Sequence, residues 1–447
     1  MYFDDRRCIE HLAGMVRFET LSKAVTAEMD FAPFHAFHAY LEESYPLCHR
    51  TLQREIVGPA GLLYCWKGSG ESSRLPLLLA AHQDVVPAGD LSRWEHPPFA
   101  GVVADGWLYG RGANDDKSVI MAHLEAIEAL LAEGFVPGGD VYLAYGFNEE
   151  VGGGDGSSAG AICALLQERG VRLGCVIDEG AGPALAADGS MEGPVVQVLL
   201  GEKGYADFEI SIEDKGGHSM APGKRSILAE LGQIAVDLHA NPFPYRLTET
   251  VQAEFACKAE KMRDKERSAL FADLDRHFEE ALPFIDADAH LACKFHTTMA
   301  LTMSGASAQA NILPTKAYMV VNCRLLEGDS LASVQRRIEE LVAGRAQVKL
   351  LKGNEPSPVS RRDSHAFACL RAVYQEMDPR VLVAPGIVSG GTDAKYYYPI
   401  CDSVYRCGGF PGGYDGGVHN FNEKLMVKDA GKGAEFFARL LKKYFLD

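Results

Sequence analysis

The sequence is most informative first for what it lacks. None of its 447 residues form an unbroken apolar stretch near the roughly 18–20 residues that a membrane-spanning helix needs. It has no basic surplus. Its 44 Lys and Arg stand against 61 Asp and Glu, a net charge of −17, which excludes the broad cationic surface that nucleic-acid phosphates require. Basic residues such as Lys258, Lys261, Arg263, Lys265 and Arg267 are interleaved with acids and read as a solvated helix face. The eleven cysteines are scattered singly, an odd count with no CxxC spacing, so neither a thiolate zinc cluster nor a disulfide framework is indicated. Residues 1–10 alternate acids and bases without an apolar core. The expectation is a cytoplasmic protein with reduced thiols, partnered by neither nucleic acid nor membrane.

What is present is an alternation of strand-like and helix-like segments. Leu75–Ala81, Val141–Phe147 and Leu173–Asp178 are short apolar runs of the kind found in buried parallel strands. Between the first two, Ile120, Leu124, Ile127, Leu130 and Leu131 recur at helical spacing, and Gly134 ends that helix. Another helix is predicted over Ala159–Arg169. After Gly201 the pattern changes. A half-wet strand over Tyr205–Ile212, a helix over Ile227–His239, strands at Thr298–Met303 and Ala317–Arg324, a helix capped by Ser330 and a strand at Gln347–Leu351 follow in turn. Omitting the charged helical stretch from Thr248 to Ala289, the order is β-α-β-β-α-β, that of a small ferredoxin-like unit. The predicted fold class is therefore α/β: a discontinuous domain with a sheet flanked by helices (1–200 and 353–447), into which a smaller α+β domain (201–352) is inserted.

The chemistry-bearing residues cluster where these strands end. Leu77–Ala81 runs into His82-Gln83-Asp84, an alternation that points both side chains to one side of an extended chain. Gly110-Arg111-Gly112-Ala113-Asn114-Asp115-Asp116-Lys117 leads into the long helix. It lacks the ending of a phosphate loop, and two adjacent acids exceed what a helix cap needs, so a cation-binding carboxylate is the better reading. Val141–Phe147 ends in Asn148-Glu149-Glu150, where one acid could ligate a metal while the other serves as general base. The next strand ends in Asp178-Glu179-Gly180, and His419 supplies a late second imidazole. Two His with three or more carboxylates suit a pair of borderline cations such as zinc.

This ordered set resembles the M20 metallopeptidase family of glutamate carboxypeptidases, aminoacylases and dipeptidases. It comprises His82-x-Asp84-x-Val86-Pro87, Gly110-Arg111-Gly112-x-x-Asp115-Asp116-Lys117, Glu149-Glu150, Asp178-Glu179-Gly180, Gly217-His218-Ser219, Gly390-Gly391-Thr392-Asp393 and His419. Trp94-Glu95-His96-Pro97-Pro98-Phe99 is most similar to the carboxypeptidase S and N-acyl-amino-acid hydrolase branch.

The resemblance implies that Asp115 bridges two zinc ions, with His82 and Asp178 completing one site and Glu150 and His419 the other. It makes Glu149 the general base, and Asp84 the residue that holds His82. His218 would stabilise the oxyanion, commonly at the partner subunit's site. Asn311, Arg324, Gly391 and Thr392 would contact substrate, Arg324 through its carboxylate. It also implies a homodimer through the inserted domain, and cobalt or manganese as possible substitutes for zinc. The expected substrate is a small peptide or an N-acyl amino acid. A biosynthetic-type deacylase acting on a non-peptide N-acyl or carbamoyl group, and a non-catalytic ligand-binding relative, remain alternatives. His35, His38 and His49 are expected at the surface, and His123 packed.

Overall fold

The computed structural model describes residues 3–412 and 416–446. Eight strands form one mixed sheet in the spatial order Gln53–Val57, Gly61–Trp66, Val141–Gly146, Leu77–His82, Cys175–Asp178, Val404–Arg406, Val195–Glu202, Leu382–Val388. Strand Leu77–His82 pairs in parallel with Val141–Gly146 on one side and Cys175–Asp178 on the other. The unbroken apolar runs follow from coverage of both faces. Leu77, Leu79 and Ala81 enter a core shared with helices Asp5–Val16, Lys117–Ala132, His365–Met377 and Ala430–Phe445. Their alternates Leu78 and Ala80 enter a second core with helix Ser158–Glu168. Because the three strands are parallel, their carboxyl ends lie along one edge, where α/β sheets bind ligands.

The second sheet is antiparallel, in the order Thr298–Gly305, Lys316–Leu325, Gly204–Glu213, Gln347–Asn354. Helices Ile227–Ala240 and Leu331–Val342 share its buried core, which gives the ferredoxin-like arrangement read from the sequence. The chain crosses between the sheets at Lys203, whose amide bonds Val388 and whose ammonium donates to the carbonyls of Cys293 (2.8 Å) and His296 (2.7 Å).

The charged stretch is helical, as expected, in the pieces Glu249–Ala259, Lys265–Ala272, Leu274–Asp286 and Ala289–Ala292. It has a core of its own around Phe255, Phe271 and Phe295. The first of these helices lies on strand Leu382–Val388, where the Cys257 thiol meets the Val383 carbonyl at 3.5 Å. His123 is packed, flat against Tyr145 and edge-on to Phe437. His38 is a correction. It is buried against Gln83 at 2.6 Å rather than at the surface, because the helix Ala32–Ser44 turns that face inward with Phe34 and Phe37.

Candidate active site

The carboxyl ends of the three parallel strands bring His82, Glu149-Glu150 and Asp178-Glu179 to one place, and two loops complete it. His82 Nε2 lies 3.0 Å from Asp115 Oδ1 and 3.7 Å from Glu179 Oε1. His419 Nε2 lies 3.2 Å from Asp115 Oδ2 and 2.8 Å from Glu150 Oε2. Asp115 therefore stands between the two imidazoles, one carboxylate oxygen toward each. His419 sits in a tight loop with φ of 57°, a left-handed conformation that costs a side chain energy and is characteristic of functional positions.

Asp84 does two jobs. Its backbone carbonyl, 3.0 Å from His82 Nδ1, fixes that ring, and its carboxylate accepts the amides of Glu149 (3.2 Å) and Glu150 (3.1 Å). Asp116 heads helix Lys117–Ala132 but caps none of its amides; its carboxylate accepts instead from the His82 amide at 3.2 Å. Asn148 staples the glycine turn that follows, donating to Gly153 and Gly156 and accepting from Ser158. Asp178 is buried beside the cluster. One of its oxygens accepts the Glu179 amide at 3.0 Å, and the other has no partner. Glu179, which the sequence reading gave no role, reaches His82 instead.

Electrostatics mark this pocket as short of positive charge. Burial alone would lower the His82 imidazole, but the Glu179, Asp115 and Asp84 carboxylates hold it well above its ordinary range. Burial pushes Glu149 well above the carboxylate range, with Asp393, Asp84 and Glu150 adding to the effect against His82. Burial, with Asp178 and Asp84 nearby, pushes Asp393 up to about 8. Buried Glu150 Oε1 and Asp178 Oδ2 lack any partner. Crowded carboxylates with unused oxygens beside two imidazoles fit hard-to-borderline divalent cations, zinc among them. His82, Asp115 and Glu150 present ligand atoms close enough for one ion, as do His82, Asp116 and Glu179. A cavity of about 540 Å³ opens onto Asp115, Asp116 and Glu179.

The remaining predicted residues divide into two groups. Arg324 lies beside the Gly-rich loop, its guanidinium 3.4 Å from the Ser389 carbonyl and stacked on Tyr205. Gly391 lies in the same loop. The Thr392 hydroxyl is buried and donates to Glu202 at 2.6 Å, so that residue shapes the loop through its side chain. His218 and Asn311 lie apart from the cluster: exposed His218 ends one strand of a short two-stranded ribbon in the second sheet's unit, and exposed Asn311 immediately precedes the other.

Two positioning groups carried no sequence signal. Glu423 is fully buried and accepts from Gly112 N (3.0 Å), Asn114 N (2.8 Å), Asp115 N (2.9 Å) and Arg111 Nη1 (2.7 Å). Arg111 in turn donates to the Asn420 carbonyl at 3.0 Å, joining the Asp115 loop to the His419 loop. Glu202 ties Thr392 to Arg406, the neighbour of Asp178 across the sheet.

Comparison with known proteins agrees with this geometry. The profile of Peptidase family M20/M25/M40 matches residues 78–443. The chain is 32% identical over 451 residues to probable carboxypeptidase S-like 2 of Dictyostelium discoideum, covering 98% of this chain and 85% of that protein. It is equally identical over 448 residues to carboxypeptidase S of Saccharomyces cerevisiae (89% and 77% covered). It is 32% identical over 439 residues to the N-fatty-acyl-amino acid synthase/hydrolase PM20D1 of Mus musculus (94% and 84% covered). In fold it is similar to the M20 family metallo-carboxypeptidase Sso-CP2 of Sulfolobus solfataricus, with a TM-score of 0.70 at 19% identity, covering 98% of this chain and 99% of that one. The dipeptidase Dug1p of Saccharomyces cerevisiae is another neighbour, with a TM-score of 0.66 at 16% identity, covering 99% and 96%. The chain belongs to the M20/M25/M40 peptidase family and is a metal-dependent hydrolase.

Proposed function

We propose that this hydrolase cleaves the amide bond next to a free carboxylate in an N-acyl amino acid or a small peptide, using two zinc ions. His82, Asp115 and Asp178 would hold one ion and Asp115, Glu150 and His419 the other, with cobalt or manganese as possible substitutes. The observation that carries this reading is Asp115 set between His82 and His419, one oxygen toward each. When bound, the ions would acidify water and polarise the scissile carbonyl.

The rest falls to the chain. Glu149 takes the proton of the attacking water and returns it to the leaving amine. Arg324 grips the substrate carboxylate, with the backbone around Gly391 and Thr392 beside it. His218, with Asn311 just before the adjoining strand, reaches the developing oxyanion from a partner subunit.

In this reading, residues 201–352 form a unit that closes over substrate and makes a homodimer, while 1–200 and 353–447 carry the chemistry. The dimer has support in the edge strand Thr298–Gly305, which exposes Leu301 and Met303 beside exposed Leu228 of helix Ile227–Ala240. Among the described residues no helix is long and apolar enough to cross a membrane. A cytoplasmic setting, in which such scattered thiols stay reduced, is part of this reading.

The test is metal content together with hydrolysis of a panel of N-acyl amino acids and dipeptides, for wild type and Glu149→Ala. Two ions per chain in both proteins, with turnover lost only in the variant, is the expected result. No bound metal after reconstitution with zinc would refute the reading.

A further inference from the structure

The helices of residues 249–292 line neither the metal cleft nor the core of the four-stranded sheet, yet they enclose a space. A cavity of about 490 Å³ lies between them and the segment 181–197. Its lining includes Ala181, Gly182 and Ala184, which also line the cleft that opens onto Asp115 and Glu179. The two spaces thus share a stretch of wall that begins two residues beyond Glu179. On the far side the wall is apolar: Leu185, Met191, Phe255, Met262 and Leu291.

The charges at this wall are largely spent. Lys258 and Lys294 both reach the buried Glu254 at 2.6 Å, and both ammonium groups flank the Phe255 ring. Asp264 and Asp288 accept amides at the starts of their own helices. Asp188, Gln197, Arg267 and His290 also line the space, with Gln197 Nε2 and Arg267 Nε unpartnered, and most of the remaining surface offered to a ligand is apolar. Its volume lies within the range that drug-sized ligands fill and exceeds what one amino-acid side chain needs.

We infer that this side cavity receives the hydrocarbon chain of an N-acyl amino acid whose amide lies at the metal cleft, and that residues 249–292 are the element that sets acyl-chain preference. This rests on the hydrolase reading above. No new chemistry is involved, since the cavity supplies binding energy in proportion to the methylene groups it buries. Each buried methylene raises kcat/KM about fourfold until the cavity is full.

The experiment measures kcat/KM for N-acylglycines from acetyl to palmitoyl on the zinc-loaded enzyme, and on Leu291→Trp and Met191→Trp, which add bulk to the cavity from two separate segments of its lining. The expected result is a rise with chain length in wild type, and a lauroyl-to-acetyl ratio reduced at least about tenfold in both variants. A flat profile in wild type, or an unchanged ratio in both variants, overturns the inference while leaving the hydrolase intact. Calorimetric binding of lauroylglycine and acetylglycine to Glu149→Ala reads the cavity without turnover. Lauroylglycine should bind more tightly, and Leu291→Trp in that background should remove the difference. Equal affinities overturn the inference. Failure to hydrolyse any panel member, with the lauroyl preference in binding present, would instead count against the hydrolase reading.

Discussion

Glu423 offers the sharpest test of how the cleft is held. Replacing it with Gln keeps the outline but removes the charge and one acceptor. The remaining oxygen can serve the amides of Asn114 and Asp115, or Gly112 and the Arg111 guanidinium, but not both pairs. In either arrangement, Arg111 (3% exposed) keeps its charge with carbonyl oxygens, those of Asn420 and Pro87 among them, in place of a carboxylate. Breaking a buried ion pair from one side costs about 3–5 kcal/mol. Glu423→Gln should lose that much stability in denaturant unfolding of the chelator-treated protein. Its zinc affinity, by chelator competition, should fall about 10–100-fold, as for other residues that orient ligands. Arg111→Met combined with Glu423→Gln removes both charges and should cost less than the two single changes summed. Unchanged stability together with unchanged zinc affinity in Glu423→Gln would refute the argument that this carboxylate holds the Asp115 loop.

Other expectations follow from the same geometry. His218→Ala and Glu149→Ala should each be inactive alone, while mixed dimers formed by refolding them together should regain turnover; none would mean that His218 serves its own chain. Leu301→Glu on the exposed edge strand should shift the sedimentation coefficient to that of a monomer. Burial lowers His38 from 6.5 to about 4, so the folded state binds fewer protons than the unfolded one in that window, and stability drops as pH falls through it. His38→Phe removes this term, and its stability deficit against wild type should narrow between pH 6.5 and 4 by up to about 1.4 kcal/mol per pH unit. Acid unfolding midpoints of the two proteins would check this.

The sequence was legible where periodicity and local motifs coincide. Strand Leu77–His82 is apolar from Leu77 to Ala81 because both its faces are covered, and such a run ending in a His and an Asp can be recognised from the chain alone. The ferredoxin-like order was legible for the same reason: each strand and helix there carries its own pattern and cap, Ser330 among them. Strand Val195–Glu202 went unread because only Lys203 separates it from the next strand, leaving no turn to mark its end. Glu423 and Glu202 went unread because a lone acid in a loop has no pattern, and their partners lie far away in sequence. Glu179 shows the limit at finer scale. The motif marks a pair of acids, but only the fold decides which of the two turns toward His82.

The bond between Arg111 and Glu423 spans 312 residues of chain. On a ribosome adding about 5–20 residues per second, the Asp115 loop therefore waits roughly 15–60 s for the carboxylate that holds it. Strand Val404–Arg406, which covers one side of Cys175–Asp178, is similarly late. During that interval the early parallel strands lack their later neighbours, and their apolar faces are open to other chains. The site that needs His419 cannot form at this stage, because that imidazole has yet to be made. The protein's dependence on chaperones in the cell should thus be greatest during its own synthesis.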